Sequence, residues 1–267
     1  MSDAPQKPDD PKSDDDSEKL AEGTLISHLL ELRDRLIRAM VAVLIAAVPC
    51  TYYQNQLFHF VSQPLIEKLP KGWTLIATSV MSPFLAPFKL AMFVALFLAM
   101  PYVLYQIWAF VAPGLYRHEK KFAIPLLVTS IVLFYTGIAF AYHFVFPVMF
   151  KFFVSTAPQG VTVSPDINEY LNFVLKMFFG FGAAFEVPIA VVLLVITGLV
   201  PLEKLTANRG YVLIGIFIIA ACLTPPDAIS MCIMAIPMYA LYEGGLIMAR
   251  ILLKMRRDQA EREAEAR

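Results

Sequence analysis

Three glutamates stand out because each lies inside or beside an apolar run of the sequence. Glu31 precedes the first run, Glu119 separates the second from the third, and Glu186 lies inside the fourth. A carboxylate can bind a guanidinium group through two parallel hydrogen bonds, or it can take up and release a proton. Simpler roles are also open, because Glu31 could pair with Arg35 four residues later and Glu119 could be a solvated charge.

Glu186 is the strongest of these three signals. A carboxylate within an apolar helix is unfavourable unless it is paired, protonated or hydrated, so such residues are usually functional. Lys176 precedes it by ten residues, which is roughly 15 Å along a helix and too far for direct pairing. A hydrogen bond to another helix, or access for water, is the alternative, and one glutamate alone does not support a proton relay.

The elements that must position these residues are predicted to be membrane-spanning helices. Hydrophobic residues make up 58% of the 267-residue chain and charged residues 16%, whereas soluble domains are about half apolar and a quarter charged. The uncharged runs are long enough to cross a bilayer, which takes about 20 helical residues. The formal net charge is zero, so no nucleic-acid partner is predicted. The composition therefore indicates an all-α polytopic membrane protein.

The apolar pattern predicts six membrane segments, of which the last two are short. The fifth segment has 13 apolar residues, about 20 Å as a helix, and the sixth ends where Glu243 interrupts it. These two are either true spans in thinned lipid or a re-entrant pair. The predicted segments are roughly 36–54, 84–108, 122–150, 170–200, 211–223 and 228–242.

Charged and polar sequence flanks this six-helix region, which we place at 24–250. Residues 1–23 are rich in Asp, Pro, Ser and Lys and are predicted to be disordered, with Thr24 as a plausible N-cap of the first helix. Residues 251–267 form a charged tail. Basic residues near the membrane favour the cytoplasmic side, so both termini are predicted to be cytoplasmic. That side carries Arg33, Arg35, Arg38, Arg117, Lys120, Lys121, Lys204, Arg209, Arg250, Lys254, Arg256 and Arg257, against Lys68, Lys71, Lys89 and Lys151 on the other.

Other classes of function have less support from the residues. No nucleophile–base set or metal-ligand spacing is present, and the three cysteines lie within or next to apolar segments. We therefore expect no enzyme activity, cofactor or metal. A small-molecule or ion secondary transporter, the alternative function, would be expected to show internal repeats or more buried ionisable groups.

Six stretches carry a resemblance to a known family. In their order and spacing they resemble TatC, the multi-spanning subunit of the twin-arginine protein translocase, over roughly residues 24–250. The resemblance implies a receptor in the bacterial cytoplasmic (inner) membrane for folded precursors that bear a twin-arginine signal peptide. It further implies TatA- and TatB-type single-span partners, self-association, contact with membrane lipid, and transport driven by the proton-motive force. The stretches are HLLELRDRL, SPFLAPFKL, LYQIWAFVAPGLYRHEKK, PLLVTSIVLFYTGIAFAY, FEVPIAVVLL and LTPPDAISM.

The resemblance also implies a signal-peptide site. Its positions in this chain are Glu31, Arg33, Phe110 and Glu119. Carboxylates suit the two guanidinium groups of the signal, and an aromatic side chain could receive the apolar residue that follows them. Two of these residues have simpler alternatives beside them: Arg33 could reach lipid phosphate, and Phe110 could belong to an interfacial aromatic belt. The neighbouring Asp34 could pair with Arg38.

Four further positions match the family away from that site. The family carries a glutamate at the position of Glu186, facing a hydrated concave surface. Thr224 matches a position where partner helices dock, and Pro64 matches a loop position that rigid loop geometry explains equally well. Asp227 is predicted to cap the helix that begins at Ala228.

Overall fold

The computed structural model describes residues 12–66, 76–111, 123–156, 164–224 and 227–265. In these ranges the regular structure is helical apart from one isolated bridge, so the prediction of an all-α polytopic fold is confirmed. The helices are α1 (Lys12–Tyr52), α2 (Gln54–Ile66), α3 (Ser82–Val111), α4 (Ala123–Phe140), α5 (Phe146–Thr156), α6 (Ile167–Ala184), α7 (Val187–Ile196), α8 (Leu202–Ala207), α9 (Arg209–Leu223) and α10 (Ala228–Glu265), with a π-helical turn at Ala141–Val145 between α4 and α5.

Five apolar stretches in the described part of the chain are long enough to cross a membrane. A sixth apolar helix, α9, has only 15 residues, or about 22 Å, so its predicted shortness is confirmed. Two of the long stretches combine elements, α4 with α5 and α6 with α7. The five stretches are Leu29–Tyr52, Ser82–Phe110, Ile124–Phe153, Ile167–Ile196 and Ala228–Gln259.

The prediction of a short sixth segment is wrong. Helix α10 runs without a break for 38 residues, through Glu243 and on to Glu265. The Glu243 carboxylate is paired, with Oε1 2.7 Å from Arg209 Nε and accepting a 2.9 Å hydrogen bond from the Tyr239 hydroxyl. Because a paired carboxylate is far less unfavourable in an apolar setting than an isolated one, it does not end the helix.

The first helix also differs from its prediction, because α1 begins at Lys12 and runs through Thr24. Thr24 is therefore not its N-cap, and α1 includes the second half of the segment that we predicted to be disordered. The sequence from Ser17 to Glu22 contains Glu, Lys, Leu and Ala, which are good helix formers. Residues 1–11 lie outside the described residues, and the division of the chain into three regions stays a prediction.

Small residues bring α1 and α3 together. Buried Ala47 and Cys50 of α1 pack against buried Ala91 and Ala95 of α3. Short side chains allow two membrane helices to approach closely. Since α3 is the next membrane-spanning stretch along the chain after α1 and packs against it, the two helices run antiparallel.

Two glycines bring the central helices to backbone contact. A Cβ at Gly137 of α4 would lie 2.5 Å from the carbonyl oxygen of Phe181 on α6, and one at Gly245 of α10 would lie 2.8 Å from Pro188 Cα on α7. Only glycine permits such close approach. The α6–α7 segment is therefore held between α4 on one side and α10 on the other.

Candidate functional site

Glu31 lies on α1 near the start of the first apolar stretch, where Arg35 holds its carboxylate. Arg35 donates from Nε at 3.0 Å and from Nη2 at 2.5 Å, and both hydrogen bonds go to Oε1. The side chains of Arg35 and Glu31 are 21% and 37% exposed. The i,i+4 pair that the sequence permits is thus formed, but it uses one carboxylate oxygen. Neither hydrogen bond uses Oε2.

Arg33 lies on a more exposed face of α1 and contacts its neighbour in sequence. Its side chain is 64% exposed, and it donates from Nε at 3.1 Å and from Nη2 at 2.9 Å to Asp34 Oδ1. Asp34 therefore pairs with Arg33 and not with Arg38, the partner that the spacing also permits. Exposed ion pairs contribute only about 0–1 kcal/mol, so the choice between two nearby arginines is energetically small.

Phe110 lies at the same end of the bundle as Glu31, as the α1–α3 packing requires. Ala47 is sixteen residues from Glu31, about 24 Å along α1, and Ala95 is fifteen residues from Phe110, about 22 Å along α3. Since Ala47 and Ala95 belong to one contact and the helices run antiparallel, the two residues lie at similar depth. We call this the Glu31 end of the bundle. The half-buried Phe110 is one residue from the end of α3.

Glu119 lies outside the described residues. The helices that flank its segment end at Val111 and begin at Ala123. Helix α4 runs antiparallel to α6, because Ser130 contacts Glu186 whereas Gly137 contacts Phe181. Helices α3 and α6 start at the same end, because Lys89 of α3 contacts Asn172 of α6, so α4 begins at the end where α3 stops. The flanking helix ends therefore both belong to the Glu31 end.

Glu186 lies at the break between α6 and α7. The break precedes Pro188, which has no backbone N–H to donate within a helix. The fully buried Ser130 of α4 donates a 2.5 Å hydrogen bond to Glu186 Oε2. The sequence left open a hydrogen bond from Glu186 to another helix, and the structure contains that bond. Glu186 Oε1 is buried and accepts no hydrogen bond from the described residues.

An apolar groove of about 420 Å³ lies directly beside this break. Phe185 and Pro188, the neighbours of Glu186, form part of its wall, and side chains of α4 and α10 form the rest. Lys176 is exposed and lies on α6, ten residues before Glu186. The break between α6 and α7 therefore borders a surface groove, while Glu186 itself, with one buried carboxylate oxygen, does not line it.

The remaining candidates lie at the opposite end, which we call the Asp227 end. Asp227 Oδ1 accepts a 2.7 Å hydrogen bond from Ser230 N, so the predicted cap of α10 is confirmed. Thr224 is buried and its hydroxyl donates to the carbonyl of Ala220 at 2.9 Å. Pro64 falls in the last turn of α2 rather than in a loop. The candidates that the structure describes thus occupy three depths and do not form one site.

Two polar contacts between helices were missed by the sequence reasoning. Lys89 of α3 donates to Asn172 of α6 at 2.8 Å, and Arg209 pairs with Glu243 across α9 and α10. The partners are separated by more than 30 positions in each case, so no local spacing marks them. The only available signal was the presence of charged residues within or next to apolar runs.

A loop contact ties together the starts of α3 and α6. Thr78 donates from its backbone N–H at 2.9 Å and from its hydroxyl at 2.6 Å to Asp166 Oδ2, and Ile76 and Asp166 form a bridge. These bonds, with those from the first turn of α6, lower the pKa of Asp166 to about 2. Among the described residues, no group of three His, Cys, Asp or Glu side chains is placed to bind a metal ion.

Comparison with known proteins gives a consistent result. A family model described as "Sec-independent protein translocase protein (TatC)" matches residues 27–237. Proteins with that name are similar over most of their length: 52% identity in Azotobacter chroococcum mcd 1, covering 83% of this chain and 87% of the relative, and 50% in Escherichia coli (strain K12), covering 89% and 92%. The crystal structure of a twin-arginine translocase receptor, TatC, superposes with a TM-score of 0.77 at 36% identity, covering 84% of this chain and 98% of that one.

Proposed function

The chain belongs to the TatC family and is a core subunit of the Sec-independent, twin-arginine protein translocase, and from this premise we propose that it binds the twin-arginine signal peptides of folded precursors. The family does not favour the alternative of a small-molecule or ion transporter. The proposed binding residues are Glu31, Arg33, Phe110 and Glu119.

The observation that carries this proposal is the half-used carboxylate of Glu31. Arg35 occupies Oε1 and orients the side chain, while Oε2 is not used by Arg35. A signal-peptide guanidinium can therefore add to Oε2 without first displacing Arg35. A hydrogen bond between charged groups is short and strong, and it is strengthened where the site is partly shielded from water.

Two guanidinium groups call for two carboxylates, and Glu119 is the proposed second one. Helix α3 stops and helix α4 begins at the Glu31 end of the bundle, which makes a joint site of the two glutamates chemically reasonable. A lysine is a compact point charge that cannot reproduce the planar fork of arginine, so such a site should discriminate between the two. Phe110, at similar depth to Glu31, offers an aromatic surface for the apolar residue after the arginines.

The surroundings of the site are part of the same proposal. We place the protein in the bacterial inner membrane with the Glu31 end and both termini in the cytoplasm, because basic residues concentrate there. The proposed partners are TatA- and TatB-type single-span proteins and a second copy of the chain. The proposed energy source is the proton-motive force. The groove beside Glu186 and the Asp227 end, with Thr224 and Pro64, are the surfaces that we assign to partner contact.

Photo-crosslinking tests the binding site directly. A twin-arginine signal peptide should crosslink to a photoreactive residue placed beside Glu119 in the purified chain, and replacing both arginines by lysine should remove the crosslink. Glu203→Gln, an exposed glutamate of the short helix α8, serves as the matched control and should leave crosslinking unchanged. Full crosslinking of the lysine peptide would refute the proposal.

A charge swap separates binding from structure. Glu31→Lys or Glu119→Lys should block export of folded precursors, because each repels the signal arginines, while the protein stays in the membrane and still assembles with its partners. Loss of the variants from the membrane would instead show that these glutamates stabilise the fold.

A further inference from the structure

We propose that a cavity at the Glu31 end, between α4, α7 and α10, binds one anionic phospholipid. The cavity has a volume of about 260 Å³ and is partly open to the surface. Its apolar walls include Leu126 of α4, Ile196 of α7 and Leu252 of α10, and its polar lining includes Arg256 and Gln259 of α10. No part of this surface overlaps the proposed signal-peptide residues.

The cavity lies at the depth where a lipid changes from tail to headgroup. Helix α10 begins at Ala228, at the Asp227 end, and Leu252 follows 24 residues later, about 36 Å along the axis. Gln259 lies about 46 Å along the axis. Because the hydrocarbon core of a bilayer is about 30 Å thick, Leu252 lies near its boundary and Gln259 beyond it. The apolar part of the lining is thus deeper than the polar part, as an amphiphile requires.

The size of the cavity favours a chain-like ligand over a helix. One turn of an α-helix, about 5.4 Å long and 10 Å across with its side chains, occupies about 420 Å³, which exceeds the cavity. An apolar cavity of about 150 Å³ already holds a molecule of the size of benzene. A lipid acyl segment can therefore enter where a partner helix cannot.

The charge beside the cavity indicates an anionic headgroup. Arg250, Lys254, Arg256 and Arg257 lie within two turns of α10, and the first acidic residue after them is Asp258. Each basic residue near a membrane surface increases the preference for anionic lipid about fivefold. A guanidinium group has five N–H donors, so Arg256 can bind a phosphate while keeping its existing contact.

Native mass spectrometry of the purified full-length chain tests this site. The chain is released from detergent after incubation with equal amounts of phosphatidylglycerol and phosphatidylcholine. We expect one tightly retained phosphatidylglycerol per chain, and Arg256→Gln should lower its retention about fivefold relative to phosphatidylcholine. Arg250→Gln, an exposed residue of the same helix that does not line the cavity, is the matched control and should have a smaller effect.

Filling the cavity gives a second, independent readout. Thr129→Trp, or the milder Leu126→Phe if the first variant does not fold, should reduce retention of the bound lipid without changing the charge. Equal effects of Arg250→Gln and Arg256→Gln would show nonspecific attraction to the basic helix and overturn the proposal. Displacement of the lipid by a twin-arginine signal peptide, with no effect of filling the cavity, would also overturn it.

Discussion

Replacing Gly245 by alanine should destabilise the helix bundle, whereas the same change at Gly244 should not. These neighbours lie on α10, and they differ in what an added Cβ would meet. At Gly245 it would lie 2.8 Å from Pro188 Cα and 3.2 Å from Val191 Cβ, and at Gly244 it would meet nothing within 4 Å. The pair therefore separates steric contact from the general effect of glycine in a helix.

The size of the effect follows from the same distances. Ordinary contact begins at 3.4 Å, so α10 and α7 must separate by roughly 0.6 Å, the difference between 3.4 and 2.8 Å. Overpacking of this kind costs about 1–3 kcal/mol. Replacing glycine by alanine within a helix is favourable by about 0.5–1 kcal/mol, and this gain applies equally at both positions. The two variants should therefore differ in free energy of unfolding by about 1–3 kcal/mol.

Unfolding of the two variants in one detergent, followed by circular dichroism, measures this difference. Gly244→Ala should unfold at or above the midpoint of the unmodified chain, and Gly245→Ala clearly below it. Equal midpoints for the two variants would refute the close approach of α10 to α7. Since Pro188 is two residues from Glu186, the Gly245 variant should also reduce export of folded precursors.

Two further predictions concern the polar contacts that tie helices together. In a double-mutant cycle, Arg209→Gln and Glu243→Gln should show a coupling of about 1 kcal/mol in free energy of unfolding, because either change removes the same ion pair. An additive result would show that the pair is incidental. Hydrogen bonds from Thr78 lower the pKa of Asp166 to about 2, so stability from this group is present above pH 4 and is lost as the pH falls towards 2. Unfolding midpoints measured across that pH range should fall less in Asp166→Asn than in the unmodified chain.

Local patterns predict the helices well and the contacts between them poorly. The six apolar segments follow from composition and length, and the cap at Asp227 follows from residue type and position. The length of α10 was missed because Glu243 reads as an interruption until its partner Arg209, 34 positions earlier, is known. The start of α1 was misplaced because a cap residue such as Thr24 also occurs within helices.

The site residues raise a different problem. The sequence gives the residue types, but it does not show which carboxylate oxygens already accept hydrogen bonds. The types and spacing of Arg35 and Glu31 fit a structural ion pair and a binding site equally well. The structure shows that the pair exists and that it leaves one carboxylate oxygen available. Neither role could be chosen from i,i+4 spacing, because spacing does not say which oxygen an arginine contacts.

Four of the paired carboxylates differ in how fully their oxygens are used. Asp166 accepts hydrogen bonds on both oxygens, and Glu243 is contacted on both. In contrast, Arg35 contacts only one oxygen of Glu31, and Ser130 contacts only one oxygen of Glu186. A fully used carboxylate stabilises the fold and has little left to offer a ligand, whereas a half-used one is held in place and can still bind. This comparison supports the ligand contact proposed for Glu31, whereas the second oxygen of Glu186 is buried and the one-oxygen contact of Asp227 caps a helix.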